Sequence, residues 1–254
     1  MPFCFKVTPL SLEEIRLLAT AIGVVAFLYS SVGHAGASGY TAVLTLFGFL
    51  APTIKPTALV LNIMVATIGT YQFWRAGHFS WKLFWPFAAL SVPMSFLGGS
   101  QQLPPAIIHP LIGAVLLFSA VRLFLNPRDP AEVTPPRHLT AFGVGAGIGL
   151  LSGLTGTGGG VFLTPLLLLC RWAKAREAAA VSVVFILVNS IAGLAGHVSR
   201  GKPVPVFAWW LAVAAVVGGT LGSHLGSRRF PPRVIRVLLA LTLVIAGIKL
   251  VMTR

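Results

Sequence analysis

Long stretches without a charged residue constrain the fold of this 254-residue chain more than any other feature. About 20 apolar residues suffice for one helix to cross a bilayer, so the longest stretches must hold more than one helix. Hydrophobic residues make up 56% of the chain and charged residues 9%, too few to cover a water-soluble globule. We therefore expect an all-α polytopic membrane protein. The stretches free of Asp, Glu, Lys and Arg are 17–54, 56–74, 83–121, 139–170, 178–199 and 203–227.

The basic residues that give the formal net charge of +14 lie between these apolar stretches. Examples are RRFPPRVIR at 228–236 and CRWAKAR at 170–176, a placement typical of cytoplasmic anchors and of contacts with membrane lipid. No polar segment carries a basic stripe with interleaved aromatics, so we expect no nucleic acid partner. Cys4 and Cys170 form no CxxC pair, which indicates neither a disulfide framework nor a thiolate metal site.

The two halves of the chain resemble each other. PPAIIHPLIGAVLLFSAVRLFL at 104–125 aligns with PPRVIRVLLALTLVIAGIKLVM at 231–252, and SVGHAGASG at 31–39 aligns with SGLTGTGGG at 152–160. This pattern predicts a tandem duplication, since self-similarity at a fixed offset indicates repeated structural units. We expect a first transmembrane repeat at 15–125, a proline-rich linker at 126–138, and a second transmembrane repeat at 139–253.

Each predicted repeat contains an apolar segment, a glycine-rich break, a segment too short to span, and three further spans. The expected segments are 15–32, 40–50, 56–74, 83–100 and 106–125 in the first repeat, and 139–151, 161–170, 178–198, 204–226 and 233–251 in the second. If each broken region crosses the membrane once, the chain has eight spans and the repeats are parallel. If the two parts of each broken region cross separately, the chain has ten spans and the repeats are inverted. The positions of the basic loops favour inversion.

The glycine breaks are the predicted substrate-binding site. A helix that starts within the membrane presents unpaired N–H groups and a partial positive charge, which together bind anions. Isolated pairs such as Gly145 and Gly149 fit close helix packing, but the three consecutive glycines at 158–160 weaken a helix beyond what packing needs. A nucleotide P-loop is disfavoured because no Lys-Ser/Thr follows. The break residues expected to bind substrate are Ser31, Gly33, His34, Gly36, Ser38 and Gly39, and Ser152, Thr155, Gly156, Thr157, Gly158, Gly159 and Gly160.

A few polar residues outside the breaks complete the predicted site. Asn62 and Ser182 occupy equivalent places in the two repeats, and Asn189 follows in the same span as Ser182. Such side chains either line a site or join helices. His34 is the one titratable residue placed in a break, whereas the other five histidines fit packing or interfacial positions.

The five acidic residues all lie at segment ends or in loops, so no predicted span offers a carboxylate for sodium or proton coupling. No histidine pair is backed by carboxylates, so we expect no metal, and nothing indicates a cofactor. Recognition by helix N-termini, neutral donors and a base favours an anionic substrate.

The segments SGLTGTGGGVFLTPLLLL and REAAAVSVVFILVNSIAGLAGHV resemble the TauE/SafE (TSUP) family of sulfite and organosulfonate exporters. The resemblance extends over nearly the whole chain. It implies a protein that carries small sulfur-containing anions across a bacterial cytoplasmic membrane. We expect a multi-pass protein of that inner membrane, monomeric or homodimeric. The first repeat departs from the family pattern, since it has His34 and lacks a proline matching Pro165.

An enzyme, a channel and an uptake carrier are the alternatives to an exporter. An intramembrane enzyme is not expected, because neither a Gly-x-Ser-x-Gly elbow nor an HExxH motif occurs. An anion channel, or an uptake carrier for another small organic anion, would show the same helix termini. Because no span carries a coupling carboxylate, the sequence favours electrogenic, sodium-independent anion efflux.

Overall fold

The computed structural model describes residues 11–101 and 132–252, together with the isolated helical residues 117, 120, 121, 124 and 125. The two long ranges are helical throughout apart from short connections, which confirms the predicted all-α class. Their helices are α1 (Leu12–Ser30), α2 (Ala37–Leu46), α3 (Ala51–Arg75), α4 (Trp81–Ser100), α5 (His138–Thr155), α6 (Gly160–Leu169), α7 (Ala175–Val198), α8 (Phe207–Arg228) and α9 (Pro232–Met252).

Five helices in the described ranges, α3, α4, α5, α7 and α8, are long and apolar enough to cross a membrane. The chain is therefore a multi-pass membrane protein. Helices α2 and α6 have only 10 residues each, about 15 Å of length, or half of a hydrocarbon core about 30 Å thick. These are the short segments predicted after the glycine breaks.

Several helices begin earlier than predicted, and the causes are clear for α1 and α3. A capping box starts α1 at Leu12, because the backbone N–H of Glu14 donates to Ser11 Oγ and that of Ser11 donates to Glu14 Oε2. Helix α3 begins at Ala51, so Lys55 and Pro56 lie inside it. Pro52 falls in the first turn of the helix, where a missing N–H costs little, whereas Pro56 lies inside the helix and removes one of its hydrogen bonds. Most of the predicted span 106–125, and the linker as far as residue 131, lie outside the described residues.

Small residues bring two pairs of helices into backbone contact. A Cβ added to any of three glycines on α5, or to any of three on α8, would collide with a carbonyl of the partner helix. The close packing predicted for Gly145 and Gly149 is therefore confirmed. The helices of each pair run parallel, since the contacting positions advance along both helices together. Helix α5 meets α4 at Gly145 with Phe87, Gly149 with Ser91 and Gly153 with Ser95. Helix α8 meets α1 and its C-cap at Gly218 with Gly23, Gly222 with Phe27 and Gly226 with Ser31.

Helices α3 and α7, which occupy equivalent places in the two predicted repeats, pack against each other in opposite directions. Asn62 Nδ2 donates to Ser190 Oγ at 3.3 Å, while Gly69, further along α3, lies against Val183, which is earlier on α7. Equivalent helices must oppose each other in this way when repeats are inverted. The antiparallel pair favours inversion, which remains a prediction because the first closing span is outside the described residues.

The helix directions also place most of the described basic residues at one end of the bundle, which we call the basic face. Helices α4 and α7 run parallel and both begin at the basic face. Their common direction follows from two contacts, Ser91 of α4 with Asn189 of α7 and, further along both helices, Gly99 with Gly193. Helices α3 and α8 end there. By the positive-inside rule, this charge bias predicts that the basic face is the cytoplasmic one. Its bases are Arg75, Lys82, Arg137, Arg171, Lys174, Arg176, Arg228, Arg229 and Arg233.

Candidate functional site

Both glycine clusters form the predicted helix breaks. Helix α1 ends at Ser30 and α2 starts at Ala37. Helix α5 ends at Thr155 and α6 starts at Gly160. The residues that precede α2 and α6, Gly36 and Gly159, have φ angles of 104° and 82°, a left-handed conformation that glycine adopts without strain. Neither half-helix has a side-chain cap at its N-terminus, so the anion-binding N–H groups predicted there are not occupied by a capping side chain.

The first break places His34 in contact with residues of the second half of the chain. His34 is only 2% exposed, and its Nε2 lies 2.8 Å from Thr164 Oγ1 on α6. Thr164 Oγ1 in turn donates to Ser182 Oγ on α7 at 2.7 Å. Because the threonine proton is used on Ser182, Thr164 accepts from His34, and Nε2 carries the imidazole hydrogen. Ser182 is thus linked to the first break through Thr164, and its contact with substrate remains a prediction.

The other ring nitrogen, Nδ1 of His34, is buried and has no hydrogen-bond partner within the described ranges. The ring also meets the backbone of Gly160, the first residue of α6. Through this contact the two breaks, which are 120 residues apart in the chain, adjoin each other. A neutral imidazole would present an acceptor at Nδ1, whereas the protonated ring would present a donor.

The second break packs between the antiparallel helices α3 and α7. A Cβ on Gly158 would lie 2.8 Å from Asn62 Nδ2 and 2.9 Å from Ser190 Oγ, so only glycine lets the backbone approach this amide and hydroxyl. Gly159 lies beside Ser152 in the same way. The Asn62 Oδ1 and Ser152 Oγ atoms are buried, and neither has a partner in the part of the chain that the structure describes.

The site lies well inside the bundle. Gly33 of the first break contacts Ala179 and Gly158 of the second contacts Ser190. On α7 these residues are four positions from its start and eight from its end, or about 6 Å and 12 Å at 1.5 Å per residue. All residues from 31 to 40 are buried, whereas Thr155 and Thr157 are half-buried. The second break is therefore the more accessible one.

Other predicted site residues have their polar atoms engaged locally. Ser31 Oγ donates to the Leu28 carbonyl, Ser38 Oγ donates to the Tyr29 hydroxyl, and Thr155 and Thr157 bond to each other. The Asn189 amide accepts from Ser91 and donates to the Phe185 carbonyl. Asn189 therefore joins α4 to α7, the packing role considered for such amides, and its contact with substrate remains a prediction.

Four residues near the breaks were not predicted. Thr164 and Ser190 are described above, and the buried Tyr40 hydroxyl lies beside Gly36 without a partner among the described residues. Lys55 places its side chain against Gly156, and its Nζ lies 3.3 to 3.5 Å from the carbonyls of Gly98, Gly99 and Gln101 at the end of α4. A lone lysine between two long apolar stretches was the signal that could have identified it.

The described acidic residues lie at helix ends or in a connection. Glu13 and Glu14 lie in the first turn of α1, Glu177 lies in the first turn of α7, and Glu132 precedes α5. Asp129 is outside the described residues. Over the described ranges, no three His, Cys, Asp or Glu side chains come together as a metal site would require.

Two half-helices that start beside each other, inside a bundle of membrane-spanning helices, define a class of protein. Irregular backbone is tolerated at this depth only where it faces protein or a watery cavity. Short, glycine-interrupted segments at matching places in two repeats are typical of transporters that bind substrate between the repeats.

The comparisons with known proteins agree with this class. The chain belongs to the sulfite exporter TauE/SafE family, whose sequence model matches residues 18–250. A protein of Sinorhizobium fredii described as a probable membrane transporter protein is 44% identical over 239 residues, which are 92% of this chain and 96% of that relative. A Bacillus subtilis protein with the same description is 28% identical over 243 residues, 88% of this chain and 94% of the relative. No solved structure matches significantly.

The protein is therefore a membrane transporter of the TauE/SafE family, as the resemblance implied. The relatives are described as transporters and not as enzymes.

Proposed function

We propose that this transporter exports small sulfur-containing anions such as sulfite, thiosulfate or short organosulfonates across the inner membrane of a bacterium. The observation that carries the proposal is the set of buried polar atoms without partners around the two uncapped half-helix N-termini. These atoms are His34 Nδ1, Tyr40 Oη, Asn62 Oδ1 and Ser152 Oγ, each without a partner in the described ranges. Buried polar groups normally have partners, so a ligand or water is expected among them.

The charges around this site favour an anion over a cation. Lys55 lies against the second break and His34 lies in the first, whereas neither break contains a carboxylate. A cation would find no charged ligand among these residues, while an oxyanion could accept hydrogen bonds from the helix N-termini and from the Ser152 hydroxyl. Gly158, Gly159 and Gly160 would let it approach the backbone closely.

The charges around the site also bear on the direction of transport. A membrane potential that is negative inside drives an anion outward by about 2.3 kcal/mol per charge per 100 mV. Export of sulfite therefore needs no coupling cation, whereas uptake against that potential would need a bound one. We propose electrogenic, sodium-independent efflux on this ground.

Binding of radiolabelled sulfite to the purified protein tests the site. Gly159→Val should weaken binding about tenfold or more, the equivalent of one charge-assisted hydrogen bond, because its side chain would enter the space between Phe185, Ile148 and Ser152. Gly201→Val is the matched control, since Gly201 also has a left-handed φ of 70° but has open space around its Cα.

Both variants should elute as folded protein by size-exclusion chromatography, and Gly201→Val should keep the parental affinity. Unchanged affinity in folded Gly159→Val would remove the second break from the site. Failure of the parent protein to bind sulfite, thiosulfate and organosulfonates would reject the substrate class.

A further inference from the structure

An aromatic cluster surrounds the turn between α3 and α4 at the basic face. The Trp74 and Phe79 rings stack with centroids 5.1 Å apart, and the Trp81 ring lies 5.4 Å from that of Phe84. Trp74 and Trp81 are nevertheless 60% and 62% exposed. Together with Gly77 and Phe79 they line a cavity of about 450 Å³. Exposed indoles at a helix end are typical of the membrane interface, where the ring meets the lipid headgroup region.

A second cavity, of about 370 Å³, adjoins the first and shares Gly77 and Phe79 with it. Its polar lining comes from the same turn and from the start of α7, namely His78, Ser80, Lys174, Arg176 and Glu177. An apolar, aromatic cleft therefore continues directly into a polar pocket with more bases than acids.

The basic groups of this pocket are held in place while keeping donors available. Arg176 Nη2 donates to the Phe230 carbonyl at 2.9 Å, which fixes the guanidinium, and its Nε is buried without a partner among the described residues. His78 Nε2 donates to the Ser227 carbonyl at 3.1 Å. Lys174 is exposed. The flanking segments 170–177 and 228–236 contain seven bases and one acid.

We propose that the two cavities form one site for an anionic phospholipid of the cytoplasmic leaflet. The phosphate lies between Lys174 and Arg176, and the glycerol and upper acyl chains lie against Trp74, Phe79 and Trp81. Charge complementarity selects the headgroup, because anionic lipids concentrate where basic residues meet the membrane. The adjoining exposed indoles select a lipid over free phosphate, which would leave that cleft empty. This site is separate from the glycine breaks and does not depend on the transported substrate.

Native mass spectrometry of the detergent-purified protein tests the proposal with three probes: phosphatidylglycerol, phosphatidylcholine and glycerol 3-phosphate. We expect phosphatidylglycerol to be retained about tenfold or more in preference to either of the others. Replacing both bases, Lys174→Gln with Arg176→Gln, should abolish that preference, since each base contributes to anionic lipid binding. Lys174→Gln alone serves if the double variant does not fold, and it should reduce the preference severalfold.

Arg200→Gln with Lys202→Gln removes the same charge from the opposite face and is the control, which should bind phosphatidylglycerol like the parent. Trp74→Leu should weaken phosphatidylglycerol binding without changing that of glycerol 3-phosphate. Equal retention of the two phospholipids, or an equal loss in the control, would overturn the site. Glycerol 3-phosphate that bound as well as phosphatidylglycerol would show that phosphate alone is the ligand and overturn the lipid assignment.

Discussion

Replacing Gly158 by alanine tests whether the second break is shaped around the polar atoms beside it. The added Cβ would lie 2.7 Å from Ile186 Cγ2, 2.8 Å from Asn62 Nδ2 and 2.9 Å from Ser190 Oγ, whereas ordinary contacts begin at 3.4 Å. Each neighbour must then move by 0.5 to 0.7 Å (3.4 minus 2.9 and 3.4 minus 2.7). These groups lie on α3 and α7, which pack against each other, so the overpacking costs about 1–3 kcal/mol.

The left-handed conformation of Gly158, with φ of 76°, adds about 1–2 kcal/mol for any residue with a Cβ. Gly77→Ala provides the control for this second contribution, because Gly77 has φ of 74° and no atom within 4 Å of its Cβ position. We expect Gly77→Ala to lose about 1–2 kcal/mol and Gly158→Ala about 2–5 kcal/mol of unfolding free energy.

Denaturant unfolding in detergent measures both values, and sulfite binding measured on the same samples should fall only for Gly158→Ala. If Gly158→Ala were no less stable than Gly77→Ala and bound sulfite like the parent, the close approach of this backbone to Asn62 would have no role.

Three further predictions follow from single contacts. Gly149→Ala, whose Cβ would meet the Ser91 carbonyl, should destabilise the protein by about 1–3 kcal/mol. Gly147→Ala on the same helix, with open space around its Cβ, should stabilise the protein by about 0.5–1 kcal/mol. Thermal unfolding distinguishes the two variants, and equal effects would contradict the close packing at Gly149. Sulfite affinity should rise as the pH falls through the pKa of His34, because only the protonated ring offers a donor at Nδ1. His34→Gln should remove this dependence, and a variant that keeps it would exclude His34 from the site. Ser91→Ala, which loses the hydrogen bond to Asn189, should lower the unfolding free energy by about 1 kcal/mol. The variant should leave sulfite flux in proteoliposomes unchanged. Reduced flux in a folded Ser91→Ala variant would place Asn189 in the site.

Local sequence was sufficient to predict the breaks. Three consecutive glycines at 158–160 leave little helix propensity, and the following segment is too short to span a membrane, so the half-helix follows from composition and length. The same holds for Gly145 and Gly149, whose spacing puts both on one helix face.

The partners of the breaks could not be predicted in this way. His34 meets Thr164, 130 residues away, and Gly158 meets Asn62, because each break packs on helices of the other half of the chain. The different roles of Asn62 and Asn189 could not be predicted from the sequence either. Asn62 keeps an unpartnered oxygen beside a break, while Asn189 accepts from Ser91 of α4 and donates to Phe185 of its own helix. Only the tertiary packing separates these outcomes.

Flux through reconstituted protein at a controlled membrane potential tests the central claim, that this chain carries small sulfur-containing anions without a coupling cation. Proteoliposomes loaded with radiolabelled sulfite, with the potential clamped by potassium and valinomycin, should release sulfite faster when the interior is negative. The release should saturate, be stimulated by sulfite on the other side, and persist without sodium. Flux that ignores the sign of the potential or requires a sodium gradient would contradict the account, and large unitary currents would indicate a channel instead.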